Sequence, residues 1–254
     1  MAITATTGGT INNSSAGTTL TFSSFSATAT QDIVVAVAIL TTAVSVSTVT
    51  DTAGNTYTLK SQVNNSTSVR AEIWEAHSIT ANASNVIVVT LSGSSLASAA
   101  FEEYAGASSG VGLAGTTATG TSANPEGHVA TQDGNNWSAG CIAVASSSGD
   151  TFTANLGTIR RSLVPALTTA GVALIDNSSA GLVTLRNAAL LSASRAWAAV
   201  GFELRTGAAA IAITPALINA PNSGAGAGAN HQVVKAPPMG TSGGGGSSNY
   251  GFVG

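Results

Sequence analysis

Glu75 and His77 stand two residues apart in VRAEIWEAHSI, Val69–Ile79, a stretch with the composition of a β-strand. On a strand, residues i and i+2 share a face, so this carboxylate and imidazole look onto one pocket or one patch of solvent. Acid–base or nucleophilic chemistry needs a third group, and no nucleophile or further ligand lies nearby in the sequence. The expectation is therefore a solvated face or one satisfied hydrogen bond. Asp51 and Asn55 in DTAGN are a second candidate, as oxygen ligands for calcium. Calcium takes about 6–8 oxygens, several of them from carboxylates, and the stretch carries one acid. It reads instead as a turn, with Asp51 accepting from backbone N–H groups two residues on and Gly54 supplying a positive φ. Glu102 and Glu103 are adjacent and point to opposite faces of a strand, which argues against two acids flanking one glycosidic bond. Cys141, the single cysteine, sits inside WSAGCIAVAS and reads as a small buried apolar residue. It leaves no disulfide or thiolate cluster possible within one chain. Arg160-Arg161, the only basic doublet, reads as a solvated loop tip or a contact to a neighbour's acid. Eleven acids and three histidines scattered in this way assemble no carboxylate pair, Ser-His-Asp set or metal cluster. The expectation is a protein that is not an enzyme, with no catalytic residues, no cofactor and no metal.

The elements that position these groups are strands. Asp32–Leu40, DIVVAVAIL, is the longest unbroken apolar run. Its odd register holds Ile33, Val35, Val37 and Ile39, and its even register holds Val34, Ala36, Ala38 and Leu40. That predicts a central strand with its large residues in a core and a small-residue face under something flat and close. TLTFSSF, NVIVVTLS and AAFEEYAG complete a first strand set. NVIVVTLS is apolar in both registers, so it is expected to be buried on both faces or to lie at a subunit contact. A second set follows at Trp137–Ala145, Asp150–Ala154, Ala170–Asp176, Gly181–Arg186 and Arg195–Arg205. In the last, Val200, Phe202 and Leu204 alternate with Ala199, Gly201 and Glu203, the pattern of one buried face. Between the sets, residues 107–136 read as a long surface loop. VAVAI at Val35–Ile39 echoes IAVAS at Ile142–Ser146, and Phe101-Glu102 echoes Phe202-Glu203 with Gly five residues after each Phe. The echo is either a duplicated half-domain or the look of any Ala/Val-rich strands.

Composition narrows the class of work. Only 7% of residues are charged, there are two lysines, and the net charge is −3. Nucleic-acid binding needs clustered Lys and Arg, which are lacking. No apolar run approaches the roughly 20 residues of a membrane helix. MAITATTGGT has no charged n-region or apolar h-region, so the expected route is synthesis in a host cytoplasm without a signal peptide. So few charges suit a surface covered by neighbours.

The Asp51-x-x-Gly54-Asn55-x-Tyr57 turn, the Asn-Val-Ile-Val-Val-Thr strand at 85–90 and the Trp-Ala-Ala-Val-Gly-Phe strand at 197–202 resemble a jelly-roll-like sandwich domain. That domain recurs in bacterial surface proteins and in tailed-phage virion proteins, among them capsid decoration or accessory proteins and tail proteins. The resemblance covers roughly residues 20–207 and implies an all-β, jelly-roll-type antiparallel sandwich and a structural or adhesive role. It transfers no functional residues. The expected organisation is an N-terminal arm over residues 1–18 and a sandwich over 19–207, its two strand sets joined by the 107–136 loop. An apolar strap and Gly-rich tail follow over 208–254. The expected function is a non-enzymatic structural protein of a phage particle, a capsid decoration or accessory protein whose partners are copies of itself and other virion proteins. The alternative is a receptor- or glycan-binding module of a tail fibre or adhesin, with a host-surface glycan as partner and Trp74 and Trp137 as the available platforms. Ordering a Gly-rich tail costs roughly 1–2 kcal/mol per residue, so it needs anchors. Val233, Pro237, Pro238, Tyr250, Phe252 and Val253 are the expected assembly contacts, clamping a neighbouring subunit.

Overall fold

The computed structural model of the chain describes residues 2–107, 112–132, 135–146, 150–165, 169–178 and 184–206. The tail anchors Val233, Pro237, Pro238, Tyr250, Phe252 and Val253 lie outside the described residues. Eighteen strands are described. The first half holds β1 (Thr4–Asn12), β2 (Gly17–Thr21), β3 (Phe25–Ala27), β4 (Asp32–Ile39), β5 (Val46–Asp51), β6 (Tyr57–Asn65), β7 (Val69–Ala76), β8 (Asn82–Asn85), β9 (Ile87–Ser95) and β10 (Ala97–Ala105). The second holds β11 (Ala118–Ser122), β12 (Glu126–Ala130), β13 (Trp137–Ser146), β14 (Phe152–Leu156), β15 (Thr158–Leu163), β16 (Thr169–Asn177), β17 (Thr184–Leu191) and β18 (Arg195–Leu204).

The two halves repeat one topology. In the first, a five-stranded sheet β1-β10-β4-β7-β6 faces a three-stranded sheet β2-β9-β5, and β3 pairs with β8. In the second, β11-β18-β13-β16-β15 faces β12-β17-β14. Setting the small β3–β8 pair aside, the main strands of each half follow the order 1-8-3-6-5 over 2-7-4. That is jelly-roll winding, and every pairing is antiparallel. Residues 19–207, read from the sequence as one sandwich of two strand sets, thus belong to two jelly rolls, one for each set, and β1 joins the first from outside that range.

Three cores stack between four layers. Ile33, Val35, Val37 and Ile39 pack against Leu20, Val49, Ile87 and Val89 inside the first roll. Ile142, Val144, Ala173 and Ile175 pack against Ala189 and Leu191 inside the second. The third core lies between the rolls, where Val34, Ala36, Ala38 and Ala100 meet Cys141, Ala143, Ala198 and Val200. The even register of DIVVAVAIL therefore lies under a second sheet, as its small residues predict. Cα atoms of β4 and β13 approach within 8 Å, whereas stacked sheets ordinarily lie about 10 Å apart. Only short side chains permit this. Ser98 Oγ donates to the Ala170 carbonyl at 2.6 Å, and Cys141 Sγ lies 3.6 Å from the Val37 carbonyl, each reaching the opposite backbone directly.

Several expectations need correction. Residues 4–12 are not an arm but the edge strand β1, paired with β10. The 107–136 stretch is not one loop but carries β11 and β12, paired with β18 and β17. TATTGGTIN, ATGTS and EGHVA lack apolar alternation because edge strands pack one narrow face and leave the other to solvent. β9 is buried at Ile87, Val89 and Leu91, but Val88 and Thr90 are only half-buried, since no sheet of the described residues covers its outer face. β18 is buried on both faces, Glu203 included. Val200, Phe202 and Leu204 face the junction between rolls and Ala199 faces the roll's own core.

The halves align through their β-bulges, at Lys60 between Leu59 and Ser61 and at Arg160 between Ile159 and Arg161. Following the ladders from there makes Trp74 equivalent to Ile175, Glu75 to Asp176, Val35 to Gly140 and Glu103 to Glu203. The Phe-Glu echo is not this repeat. Phe101 packs edge-on against Phe22 in its own core, with centroids 5.1 Å apart, while Phe202 faces the junction.

Candidate functional site

Two clusters of charged side chains lie on the rim of the junction, at corners related by the repeat. Each corner starts from a bulge, which turns an edge-strand cation inward over a buried acid on the neighbouring strand. Lys60 Nζ lies 2.6 Å from Glu75 Oε2, and Arg160 Nε lies 2.6 Å from Asp176 Oδ2.

The first corner adds a second pair. Beyond the Ile33–Ala76 rung, the next opposing positions are Asp32 and His77. His77 Nδ1 lies 2.6 Å from Asp32 Oδ1, which also accepts from the Ser78 backbone N–H at 2.9 Å. Asp32 is buried, while the imidazole keeps 31% of its side-chain surface exposed. Lys60 Nζ also lies 5.7 Å from the centre of the Phe202 ring, so it touches both rolls.

The second corner is filled differently. Trp137 stands where the first has Asp32, and the Arg160 guanidinium lies 5.8 Å from its ring centre. Arg161 lies 2.9 Å from Glu102, so the basic doublet, expected at a loop tip or against a neighbour's acid, lies in β15 with both arginines beside acids of its own chain. Gly8 sits in a β1 bulge directly over that pair. A Cβ there would overlap both the Glu102 carboxylate and Arg161. Fully buried Tyr104 completes the corner beside Asp176 and Glu102.

No known protein family, curated protein or solved structure matches this chain.

Glu75 and His77 share a strand face, as the spacing predicts, yet they do not form one acid–base pair. Each has its own partner, Lys60 and Asp32, and Glu75 is buried rather than solvated. Those partners were the missed residues. A cation in an edge strand and an acid opening an apolar strand were the available signals. Asp32, Glu75 and His77 bring one ligand atom each to within 4.8 Å of one another, the group among the described residues with the spacing to hold a cation. Asp51 cannot do so in this arrangement. It accepts from the Asn55 backbone N–H at 2.9 Å, Asn55 Nδ2 at 2.7 Å, Tyr57 OH at 3.0 Å and Asn85 Nδ2 at 3.1 Å. Its oxygens are spent on donors that lock the turn, with Gly54 at φ 76°. Trp74 donates Nε1 to Glu72 Oε2 at 3.0 Å. Cys141 is fully buried, and burial pushes its thiol up to about 12.

Burial also raises the carboxyls of Asp32, Glu75, Glu102, Glu103 and Asp176 above their ordinary values, against the opposing pull of His77, Lys60, Arg161, the Thr28 N–H and Arg160. Each binds its proton at a higher pH in the folded chain than in the unfolded one. Between the two values the folded state holds more protons, so stability falls as pH rises through that window. Asp51 and Glu126 act in the opposite sense. Burial works against Asp51, but the donors from Asn55, Asn85 and Tyr57 hold it low, and Arg186 holds Glu126 low. Their contribution is lost only as pH drops through those depressed values. Melting temperature is therefore expected to rise as pH is lowered from neutral toward the ordinary carboxylate range, and to fall only below it. A steady decline from neutrality downward, measured by scanning calorimetry, would contradict the assignment.

Proposed function

We propose that the chain is a non-enzymatic structural protein of a phage particle, a capsid decoration or accessory subunit that works by contact with its neighbours in the virion. The observation that carries this reading is the disposition of charge. Every described acid is engaged by a cation or a hydrogen-bond donor of the same chain. The outer sheets present Thr, Ser and Asn along β2, β5 and β14, and the edge strand β11 presents Thr, Gly and Ser. A surface with so little free charge has poor colloidal stability alone and suits one covered by other subunits. Jelly rolls recur in viral capsid and lectin domains, which is support by fold analogy only. The glycan-binding alternative needs exposed aromatic platforms, and both Trp74 and Trp137 are half-buried with their rings engaged.

The test is sedimentation of the purified full chain over a range of concentrations, with quantitative mass spectrometry of particles from cells encoding it. The expected result is concentration-dependent assembly and a fixed copy number in the particles. A chain that stays monomeric at high concentration and is absent from particles overturns the reading.

A further inference from the structure

We propose that Asp32, Glu75 and His77 form a binding site for a first-row divalent metal ion, with zinc the best fit, at the rim between the two jelly rolls. The site is separate from the assembly role and does not depend on it. Three observations carry it. First, the geometry is close to a ligand set. Zinc is bound by His nitrogen and carboxylate oxygen at about 2.0–2.2 Å in a tetrahedron, which sets neighbouring ligand atoms about 3.3 Å apart. The three donor atoms already lie within 4.8 Å of one another. The donors also come from regular positions: Asp32 opens β4, Glu75 lies in β7, and His77 follows Glu75 on the same face.

Second, the halves differ at this point. The Lys60–Glu75 pair has its counterpart in Arg160–Asp176 and is explained as structure in both. The Asp32–His77 pair has none, because Trp137 and Ser178 occupy the equivalent positions. The repeat therefore does not account for the extra carboxylate and imidazole. Third, two carboxylates converge here largely out of water, Asp32 at 1% and Glu75 at 8% exposure. A dication offsets both charges, and an imidazole with two carboxylates suits zinc better than calcium or magnesium.

Binding replaces the proton between His77 Nδ1 and Asp32 Oδ1, now 2.6 Å apart, and releases it to solvent. The Lys60 ammonium leaves Glu75. It sits at a bulge on an edge strand with 20% of its side chain exposed, so it has a path outward. The exposed side of His77 is the entry path, and water supplies the fourth ligand.

The test is calorimetric titration of the chelator-treated full chain with zinc chloride near neutral pH, with thermal melts alongside. One equivalent should bind, more weakly as pH is lowered, because the ligands must be deprotonated. At zinc about 100-fold above the dissociation constant, the melting temperature should rise by about 5–10 °C. His77→Ala, at an exposed position just past the end of β7, should fold as the parent does and lose at least about tenfold in affinity. Lys60→Met removes the competitor and should bind zinc more tightly than the parent. His128→Ala and His231→Ala should leave the titration unchanged. No binding by the parent, full binding by His77→Ala, loss on replacing His128 or His231, or weaker binding by Lys60→Met would each overturn the site.

Discussion

Phe202→Ala is expected to destabilise the chain by about 3–5 kcal/mol, the range for emptying a buried aromatic site. The ring is 1% exposed and sits in the junction core among the small side chains of the facing sheets. It stands opposite Ala139 on the neighbouring strand, and the Lys60 ammonium covers its edge of the junction. Those neighbours are too small to fill the space the ring would leave. The sheets on either side are fixed by continuous ladders, so they cannot close over it. Chemical denaturation of parent and variant measures the difference. A loss below about 1 kcal/mol would mean that the junction can collapse, unlike a well-packed core.

Glu203→Ala is expected to cost about 2–4 kcal/mol, through donors that lose their acceptor rather than through a cavity. The Glu203 carboxylate is 1% exposed. It accepts from the Leu113 N–H at 3.0 Å, from Asn136 Nδ2 at 2.6 Å and from the Gln132 N–H. Asn136 Oδ1 in turn accepts from the Thr206 N–H at 3.0 Å. One side chain thus holds the strand that leads into β11, the segment after β12 and the chain after β18. Truncation removes an acceptor from three donors, of which Asn136 Nδ2 is buried and the Leu113 and Gln132 N–H groups are part-buried, and a fully buried orphan costs roughly 1–3 kcal/mol. Glu203→Gln retains one acceptor oxygen and should lose about half as much. Glu103, its counterpart, accepts from the Thr28 N–H at 2.7 Å, and its replacement by alanine should be the milder of the two. Equal losses for Glu103→Ala and Glu203→Ala would contradict this account.

The contrast between these positions shows what the sequence makes legible. The apolar strands were readable because burial imposes a pattern: β4, β7, β13, β16 and β18 all fall where their composition puts them. The small-residue face of β4 was readable too, since Ala36 and Ala38 on an otherwise Val/Ile strand call for a close neighbour. The identity of that neighbour was not, because an Ala-rich face fits equally under a loop, a second subunit or a second half of the same chain. β1, β11 and β12 were hidden, since Thr and Gly in an edge strand look like linker. The candidate site was half legible. Glu75 and His77 are neighbours in sequence and spaced for one face. Asp32 and Lys60 reach them only through cross-strand pairing and a bulge, so the acid that opens β4 and the cation in β6 stand out in sequence without showing what they meet.

The close-packed junction has a consequence for dilution. Where Ala36, Ala38 and Ala100 meet Ala143 and Ala198, each side chain gives up little apolar area, and at about 25 cal/mol per Å² that part of the junction supplies a small driving force. Two separate molecules joining there would first lose roughly 4–15 kcal/mol of translational and rotational freedom. In this chain the second roll is tethered to the first, so each meets the other at an effective concentration on the order of millimolar, whatever the concentration of the protein. The rolls therefore stay docked in a solution too thin to hold a comparable dimer together. The junction can use small residues, and gain its close backbone approach, because it never has to find its partner by diffusion.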